Sequence, residues 1–168
     1  MQIMTKEQFI ELISQEQEPL RRFLRGLCSG DAFCADDLAQ EALLKAYLSF
    51  ERFEGRSKFS TWLFRIAFNC WYDRQKSAGR ESEWLSLEGG PPGKESAIEA
   101  DHESRYEYQH LHMAIGGLPL QEQTVILLFY MEEKSIKEIE IITGMPSGTI
   151  RSHLSRGRRH LKEYLEKL

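Results

Sequence analysis

The residues "SIKEIEIITGMPSGTIRSHLSRGRRHLK", 135–162, give the most specific prediction of structure in this chain. Ser135 and Glu138 have the spacing of a capping box, which begins a helix, and Gly144 with Pro146 marks where that helix ends. A longer basic helix follows the turn. A short capped helix, a tight turn that contains glycine and a basic helix together predict a helix-turn-helix.

The basic helix is predicted to have an apolar face and a polar face. At about 100° per residue, the apolar face contains Ile150, Leu154, Gly157, Leu161 and Leu165. The opposite face contains Arg151, Ser152, Ser155, Arg158, Arg159 and Lys162. Glycine costs about 1 kcal/mol of helix propensity, so we expect Gly157 to allow a neighbouring helix to approach closely.

The polar face of this helix indicates DNA binding. Its first turn, residues 147–152, would point free N–H groups and small hydroxyls outward, as in a helix that enters the major groove. Arg151 and Arg156 are long enough for bidentate contacts to guanine, and the later basic residues would lie on phosphates. Basic residues near a helix C-terminus also complement the helix dipole, which is an alternative explanation for Lys162 and Lys167.

Charge is unevenly distributed along the 168 residues, whose net charge is −4. Residues 55–80 contain six basic and one acidic residue, and residues 147–168 contain six basic and two acidic residues. Residues 81–108 contain eight acidic and two basic residues. This distribution predicts two anion-contacting faces on separate modules, although either patch alone is also compatible with ordinary solvated surface.

The apolar residues recur at helical spacing, with no sustained strand alternation, which predicts an all-α protein. We expect two small helical domains, residues 1–78 and 105–168. The acidic residues 79–104 between them, with Gly-Gly-Pro-Pro at their centre, have the composition of a flexible linker.

Local signals predict the helices of the N-terminal domain. Thr5 and Gln8 have the spacing of a capping box, and Pro19 predicts the start of a second helix. Further helices are predicted over 35–53 and from Phe59 to about Ser77.

The last of these helices, "KFSTWLFRIAFNCWYDRQKS" at residues 58–77, is rich in aromatic residues. Helical projection leaves a polar stripe of Trp62, Arg65, Asn69, Tyr72, Asp73 and Lys76. Basic residues interleaved with aromatic rings suit single-stranded nucleic acid, because rings stack on bases and cations follow the backbone. We nevertheless expect about four of the six aromatic side chains to lie in the core.

The cysteines and the apolar runs limit the classes of protein that the sequence is compatible with. Cys28, Cys34 and Cys70 form no CxxC pair or zinc-ligand cluster, so we expect reduced cysteines that lie mostly in the core. The longest apolar run, residues 125–131, is too short to span a bilayer, and no basic-then-apolar leader opens the sequence. We therefore expect a cytoplasmic protein with no cofactor, metal or small-molecule substrate.

Two long stretches resemble a known family. "ADDLAQEALLKAYLSFERFEGRSKFSTWLFRIAFNCWYDRQK", residues 35–76, is similar to the second domain of the extracytoplasmic-function (ECF) sigma factors, in the sigma-70 family. "LPLQEQTVILLFYMEEKSIKEIEIITGMPSGTIRSHLSRGRRHLK", residues 118–162, resembles their fourth domain. The resemblance covers roughly residues 5–77 and 105–165, in the family's order.

The resemblance implies three interfaces. A contact with the clamp-helix coiled coil of the RNA polymerase β′ subunit would use Asp36, Asp37, Leu38, Gln40, Glu41 and Leu44. Recognition of the minus-ten promoter element would use Gly55, Arg56, Ser57, Lys58, Trp62, Arg65, Asn69, Asp73, Arg74 and Lys76. Recognition of the minus-thirty-five element would use Ser147, Thr149, Arg151, Ser152, Ser155, Arg156, Arg158, Arg159 and Lys162.

The resemblance also implies further partners. The C-terminal domain would contact the flap of the polymerase β subunit, and the acidic linker would run through the RNA-exit region. An anti-sigma factor would clamp the two domains together and hide both DNA faces.

Three other functions are compatible with parts of the sequence. A dimeric helix-turn-helix regulator with an N-terminal sensing domain would bind a palindrome without contacting polymerase. A metal-dependent enzyme would need His102, His110 and His112, but the last two point to different faces of a helix. A structural adaptor would bind neither DNA nor polymerase.

Overall fold

The computed structural model describes the backbone of residues 3–78 and 105–167, and the side chains of 3–78 and 110–167. These residues form seven α-helices and contain no β-strand, which confirms the all-α prediction. None of the described helices combines the length and the apolar content needed to cross a bilayer. The predicted linker, 79–104, and its expected path through polymerase lie outside the described residues.

Three helices form the N-terminal module: α1 (Lys6–Leu27), α2 (Ala32–Ser49) and α3 (Phe59–Ser77), with a 3₁₀ turn at Phe50–Arg52. The capping box of α1 is confirmed, because the Gln8 N–H donates to Thr5 Oγ1 at 3.2 Å and the Thr5 N–H donates to Gln8 Oε1 at 2.9 Å. α2 begins earlier than predicted because Asp31 accepts a hydrogen bond from the Cys34 N–H at 3.1 Å and caps the helix.

Pro19 was expected to begin a helix, and this prediction is wrong, because Pro19 lies inside α1. A proline in a helix interior costs about 3 kcal/mol. The helix continues because the residues after Pro19 include Leu20, Phe23 and Leu24, which are all buried. Burying one such side chain is worth about 1.5–3 kcal/mol, so tertiary packing outweighs the local cost.

Four helices form the C-terminal module: α4 (Arg105–Gly116), α5 (Leu120–Ile126), α6 (Ile136–Thr143) and α7 (Ser147–Glu166). A π-helical turn, Leu127–Met131, extends α5. The predicted capping box of α6 is confirmed by a 3.1 Å hydrogen bond from the Glu138 N–H to Ser135 Oγ. Gly144 ends α6 with φ 76°, a left-handed conformation that favours glycine. Helices α6 and α7 therefore form the predicted helix-turn-helix.

The two modules pack directly against each other. Gly26 of α1 lies so close to the second module that an added Cβ atom would be 2.7 Å from Leu127 Cδ1. Gln123 is buried and donates a 2.7 Å hydrogen bond from Nε2 to the Gly26 carbonyl. At the edge, Arg22 donates two hydrogen bonds of 2.8 and 2.9 Å to the Glu132 carboxylate. We call this packing of the two modules the closed arrangement.

Candidate nucleic-acid and polymerase interfaces

α7 has the two faces that its sequence predicts. Its buried residues are Ile150, His153, Leu154 and Gly157. Leu161 is half-buried and Leu165 is exposed, because the apolar stripe continues beyond the part of the helix that packs on the core. The predicted DNA-contacting residues that are exposed are Arg151, Ser152, Ser155, Arg158, Arg159 and Lys162. Ser147, Thr149 and Arg156 are partly exposed. The structure therefore brings these nine residues together on the open side and the first turn of one helix.

Close packing of α7 on α5 fixes the orientation of this open side. A Cβ atom added to Gly157 would lie 2.9 Å from Ile126 Cγ1, which confirms that this glycine allows the two helices to approach closely. Next to it, His160 Nδ1 lies 2.7 Å from Oε2 of the buried Glu122. Sequence reasoning missed this pair, because its members are far apart in the chain and neither belongs to a local motif.

The N-terminus of α7 lacks a side-chain cap. The capping position is Pro146, which has no side-chain acceptor, so the first N–H groups of the helix receive no side-chain hydrogen bond there. An added Cβ atom at Gly148 would meet nothing within 4 Å. The first turn is therefore open to an approaching base edge or phosphate.

α3 also divides into the predicted faces. Phe59, Phe64, Phe68 and Trp71 are buried, which confirms that four of the six aromatic side chains lie in the core. Trp62 and Tyr72 are half-buried. The exposed members of the polar stripe are Arg65, Asn69, Asp73 and Lys76. An exposed polar stripe therefore runs along α3, bordered by two partly accessible rings.

The loop before α3 lies beside one of these rings. Gly55 is exposed with φ 73°, and Arg56 Nε is 2.8 Å from Glu54 Oε2. Lys58 is the N-cap residue of α3 and is largely exposed. The Trp62 ring centroid is 5.2 Å from that of Phe53, so packing fixes its position beside the loop.

The predicted polymerase-binding edge of α2 is present, with one correction. Asp37, Gln40 and Leu44 are exposed, and Asp36 and Glu41 are half-buried.

The expectation for Leu38 is wrong, because this side chain is fully buried on the core face of α2, with Ala35, Ala39 and Ala42, and cannot reach a partner. Sequence reasoning also missed Phe33, Tyr47 and Leu48, which are exposed on α2. The sequence does contain a signal for these exposed residues. α2 has apolar residues on several sides, whereas a helix with one buried face needs them on that face alone.

Arg74 connects α3 to the acidic residues of α2. Its Nη2 atom donates to Asp37 Oδ2 at 2.9 Å and to Glu41 Oε2 at 3.1 Å. A phosphate contact by Arg74 therefore has to compete with two carboxylates. The same contacts orient two of the residues predicted to meet polymerase.

Comparison with known proteins shows the family to which the chain belongs. Residues 12–81 match the family Sigma-70 region 2, and residues 108–161 match Sigma-70, region 4. The ECF RNA polymerase sigma factor SigW of Bacillus subtilis is 34% identical over 149 residues, covering 83% of this chain and 79% of the relative. The chain belongs to the ECF sigma factors. In family terms, α3 lies in region 2 and the helix-turn-helix in region 4.

Solved structures resemble both modules of this sigma factor together. The sigma factor RpoE, in complex with the anti-sigma factor NepR from Bartonella quintana, matches with a TM-score of 0.78 and 29% identity, covering 95% of this chain and 98% of RpoE. CnrH, in complex with the cytosolic domain of CnrY, has the same fold, with a TM-score of 0.71, 19% identity and coverage of 97% and 90%.

The closed arrangement of the sigma factor brings α6 of region 4 against the loop before α3 in region 2. Lys58 Nζ, in the loop before α3, lies 3.0 Å from Glu138 Oε1 in α6. Burial opposes ionisation of Glu138, but the hydrogen bond from the Ser135 N–H and the charge of Lys58 outweigh it and lower the pKa of Glu138. The Lys134 ammonium lies 4.5 Å from the centre of the Phe64 ring. Region 4 therefore contacts Lys58, one of the candidate minus-ten residues of region 2, while leaving most of its side chain exposed.

Proposed function

We propose that this sigma factor binds core RNA polymerase, recognises the minus-ten and minus-thirty-five promoter elements and directs transcription initiation. The observation that supports this most strongly is the presence of both sigma-70 regions in one chain, each with its own exposed basic face. We place the protein in the cytoplasm with the polymerase and assign it no enzymatic activity.

In the proposed complex, region 2 holds the non-template strand of the minus-ten element. Extruding a base costs a few kcal/mol, and stacking on an aromatic ring returns about 1–3 kcal/mol per base. The half-buried Trp62 and the exposed Asn69 lie on the same stripe as Arg65. This stripe combines a ring, an amide and a cation, which suits an unstacked base and its phosphate.

Region 4 reads the minus-thirty-five element in the proposed complex. Arg151 is exposed close to the open N-terminus of α7, where its guanidinium can reach a guanine in the major groove. Arg158 and Arg159 are exposed further along and face the phosphates. The same module contacts the β flap of polymerase.

The exposed edge of α2 is the proposed contact with the β′ clamp helices. Asp37 and Gln40 supply exposed polar groups, and the Leu44 side chain is 60% exposed, so it supplies apolar area at the same edge. Apolar anchors surrounded by polar groups are typical of stable protein interfaces.

Promoter recognition requires the closed arrangement to open. The two promoter elements are about 25 base pairs apart, which is roughly 85 Å of duplex. A compact chain of this length has a radius of gyration of roughly 15 Å, so its closed form cannot reach both elements. The 26 residues from 79 to 104 span at most about 90 Å when fully extended, which is enough to connect separated modules.

We further propose that an anti-sigma factor binds the closed arrangement and prevents its opening. The RpoE structure, to which this sigma factor is similar over both modules, is a complex with an anti-sigma factor. Such a partner would stabilise the inactive form by binding it in preference to the open form.

Run-off transcription with bacterial core polymerase on a pooled promoter library tests the proposal. Initiation is expected only when the protein is present. Loss of the Arg151 side chain should reduce initiation about 5- to 150-fold, the effect of removing one bidentate base contact, and Asn69→Ala should also reduce it. Arg25→Ala, which removes an exposed arginine of α1 outside both DNA surfaces, is the matched control. Absence of polymerase binding, together with protection of a palindrome by the protein alone, would instead support the dimeric regulator.

A further inference from the structure

Two cysteine side chains meet at the junction of α1 and α2. The sulfur atoms of Cys28 and Cys34 are 3.2 Å apart, and both residues are half-buried, whereas Cys70 is buried elsewhere. A disulfide bond is about 2.05 Å long, so the two sulfur atoms need to approach by roughly 1 Å.

The backbone between the two cysteines forms a hydrogen-bonded turn. Ser29 and Gly30 both have positive φ angles, 54° and 84°. The Gly30 N–H donates to the Arg25 carbonyl at 2.9 Å, and the Asp31 N–H donates to the Cys28 carbonyl at 3.1 Å. The turn therefore keeps the two thiols next to each other in the folded chain.

The two thiols have different surroundings. Burial, the hydrogen bond to Cys34 and the nearby negative charge of Asp31 raise the pKa of the Cys28 thiol, so Cys28 stays protonated at neutral pH. Cys34 lies in the first turn of α2. The positive charge of Arg74 acts on both thiols, so it does not distinguish between them. Cys28 is therefore the poorer nucleophile of the pair, so we assign the attack on peroxide to Cys34 and the second step to Cys28.

We propose that Cys28 and Cys34 are a reversible oxidation site, at which hydrogen peroxide converts the two thiols into an intramolecular disulfide. The Cys34 thiolate attacks one peroxide oxygen, the O–O bond breaks, and the leaving hydroxide takes up a proton to form water. The Cys28 sulfur then attacks the sulfur of the resulting sulfenic acid, the S–O bond breaks, and the Cys28 proton leaves in a second water. The two thiols lose two electrons, and peroxide is reduced to two waters. A dithiol reverses the reaction by exchange.

The disulfide would lie close to the proposed polymerase contact. Arg74 interacts with Cys34 and also holds Asp37 and Glu41, so the disulfide would form beside the edge of α2 that faces polymerase. The oxidation itself is independent of the proposed function, because it needs only the folded chain and peroxide.

Thiol counting by mass spectrometry on the full chain tests the proposal. The protein is treated with hydrogen peroxide, quenched with catalase, denatured and alkylated with N-ethylmaleimide. Reduced protein should carry three alkyl groups and oxidised protein one. The chain contains no Lys or Arg between residues 26 and 44, so trypsin releases both cysteines in one peptide, 26–45, which should be unalkylated and about 2 Da lighter than its reduced form. Dithiothreitol should restore both alkylation sites.

Single substitutions test the order of the two steps. Cys28→Ser should accumulate a sulfenic acid at Cys34, which dimedone labels, whereas Cys34→Ser should leave Cys28 largely unlabelled. Cys70→Ser is the matched control and should form the disulfide normally, and circular dichroism checks that each variant is folded. Three alkylated thiols after peroxide, a link that includes Cys70, or a link between two chains would overturn the proposal. Equal dimedone labelling of the first two variants would overturn the assigned roles.

Discussion

Lys58, at the N-terminus of α3, forms a 3.0 Å ion pair with Glu138 in the first helix of the helix-turn-helix. The same lysine belongs to the loop proposed to contact the minus-ten element, so it has a carboxylate partner in the closed arrangement and a phosphate partner in the proposed open complex. Exposed ion pairs are worth about 0–1 kcal/mol, so this contact alone does not determine which arrangement is populated. The buried contacts at Gly26 contribute more.

Replacing Gly26 with leucine should open the closed arrangement. A Cβ atom at this position would lie 2.7 Å from Leu127 Cδ1, and the longer side chain has no room unless the modules separate. Small-angle X-ray scattering should show a radius of gyration clearly above the roughly 15 Å expected for the compact chain. Gly116→Leu is the matched control, since a Cβ atom there meets nothing within 4 Å. An unchanged scattering profile for Gly26→Leu would show that the closed arrangement does not depend on this contact.

Gly157→Ala should destabilise region 4 by about 1–3 kcal/mol, the usual cost of overpacking a tight helix contact. Its Cβ atom would be 2.9 Å from Ile126 Cγ1. The measurement is urea unfolding followed by circular dichroism. Gly148→Ala, in the same helix but in open space, should leave stability unchanged or slightly higher, because alanine has the better helix propensity. Equal effects of the two substitutions would contradict the packing argument.

Arg74 and Asp37 should show energetic coupling in a double-mutant cycle. Their ion pair is 2.9 Å long and partly exposed, so we expect about 0.5–1 kcal/mol of coupling in the free energy of unfolding. The single and double variants are Arg74→Gln and Asp37→Asn. The more exposed pair of Arg56 and Glu54 serves as control and should show coupling near zero. A coupling at Arg74 no larger than that of the control would mean that it does not hold α2 and α3 together.

Acid should destabilise region 4 through His153. The side chain is buried, neither ring nitrogen has a hydrogen-bond partner among the described residues, and burial together with Arg156 lowers its pKa below 6.5. Glu122 acts in the opposite direction but does not reverse the shift. Between the folded and the unfolded pKa, the unfolded chain binds more protons, so this contribution to stability is complete above about pH 6.5 and is lost as pH falls below it.

His153→Leu, which replaces the imidazole with an apolar side chain, should remove that pH dependence. Thermal unfolding at pH 7.5 and 5.5 measures it, and the variant should lose less of its melting temperature on acidification than the wild type. At pH 7.5 its stability should be similar or higher, since it buries no unsatisfied polar atom. Parallel losses in the two proteins would assign the acid sensitivity to other groups.

The helix-turn-helix could be predicted because its signals are local. Ser135 with Glu138 and the left-handed Gly144 define the beginning and end of α6 within a few residues. Pro19 shows the limit of such signals, because whether it breaks a helix depends on the packing of the residues that follow it. The prediction for Leu38 failed for a related reason, because only the packing of α2 shows that this side chain faces the core.

Contacts between distant residues had no sequence signature. The hydrogen bond from Gln123 to the Gly26 carbonyl joins residues 97 positions apart and involves a backbone acceptor that is the same in every amino acid. Cys28 and Cys34 are six residues apart, a spacing that matches no known redox motif. Their proximity follows from the turn between α1 and α2, which only the folded chain reveals.

The uncapped N-terminus of α7 has a consequence for how DNA binding affects the protein itself. A serine or aspartate at position 146 would cap the helix and stabilise it by about 1 kcal/mol, but Pro146 has no side-chain acceptor to do so. A promoter phosphate placed at the first turn would accept the hydrogen bonds that such a side chain normally accepts. The nucleic acid would thus complete the helix that reads it, and hydrogen exchange at the amides of residues 147–149 should slow when the promoter binds.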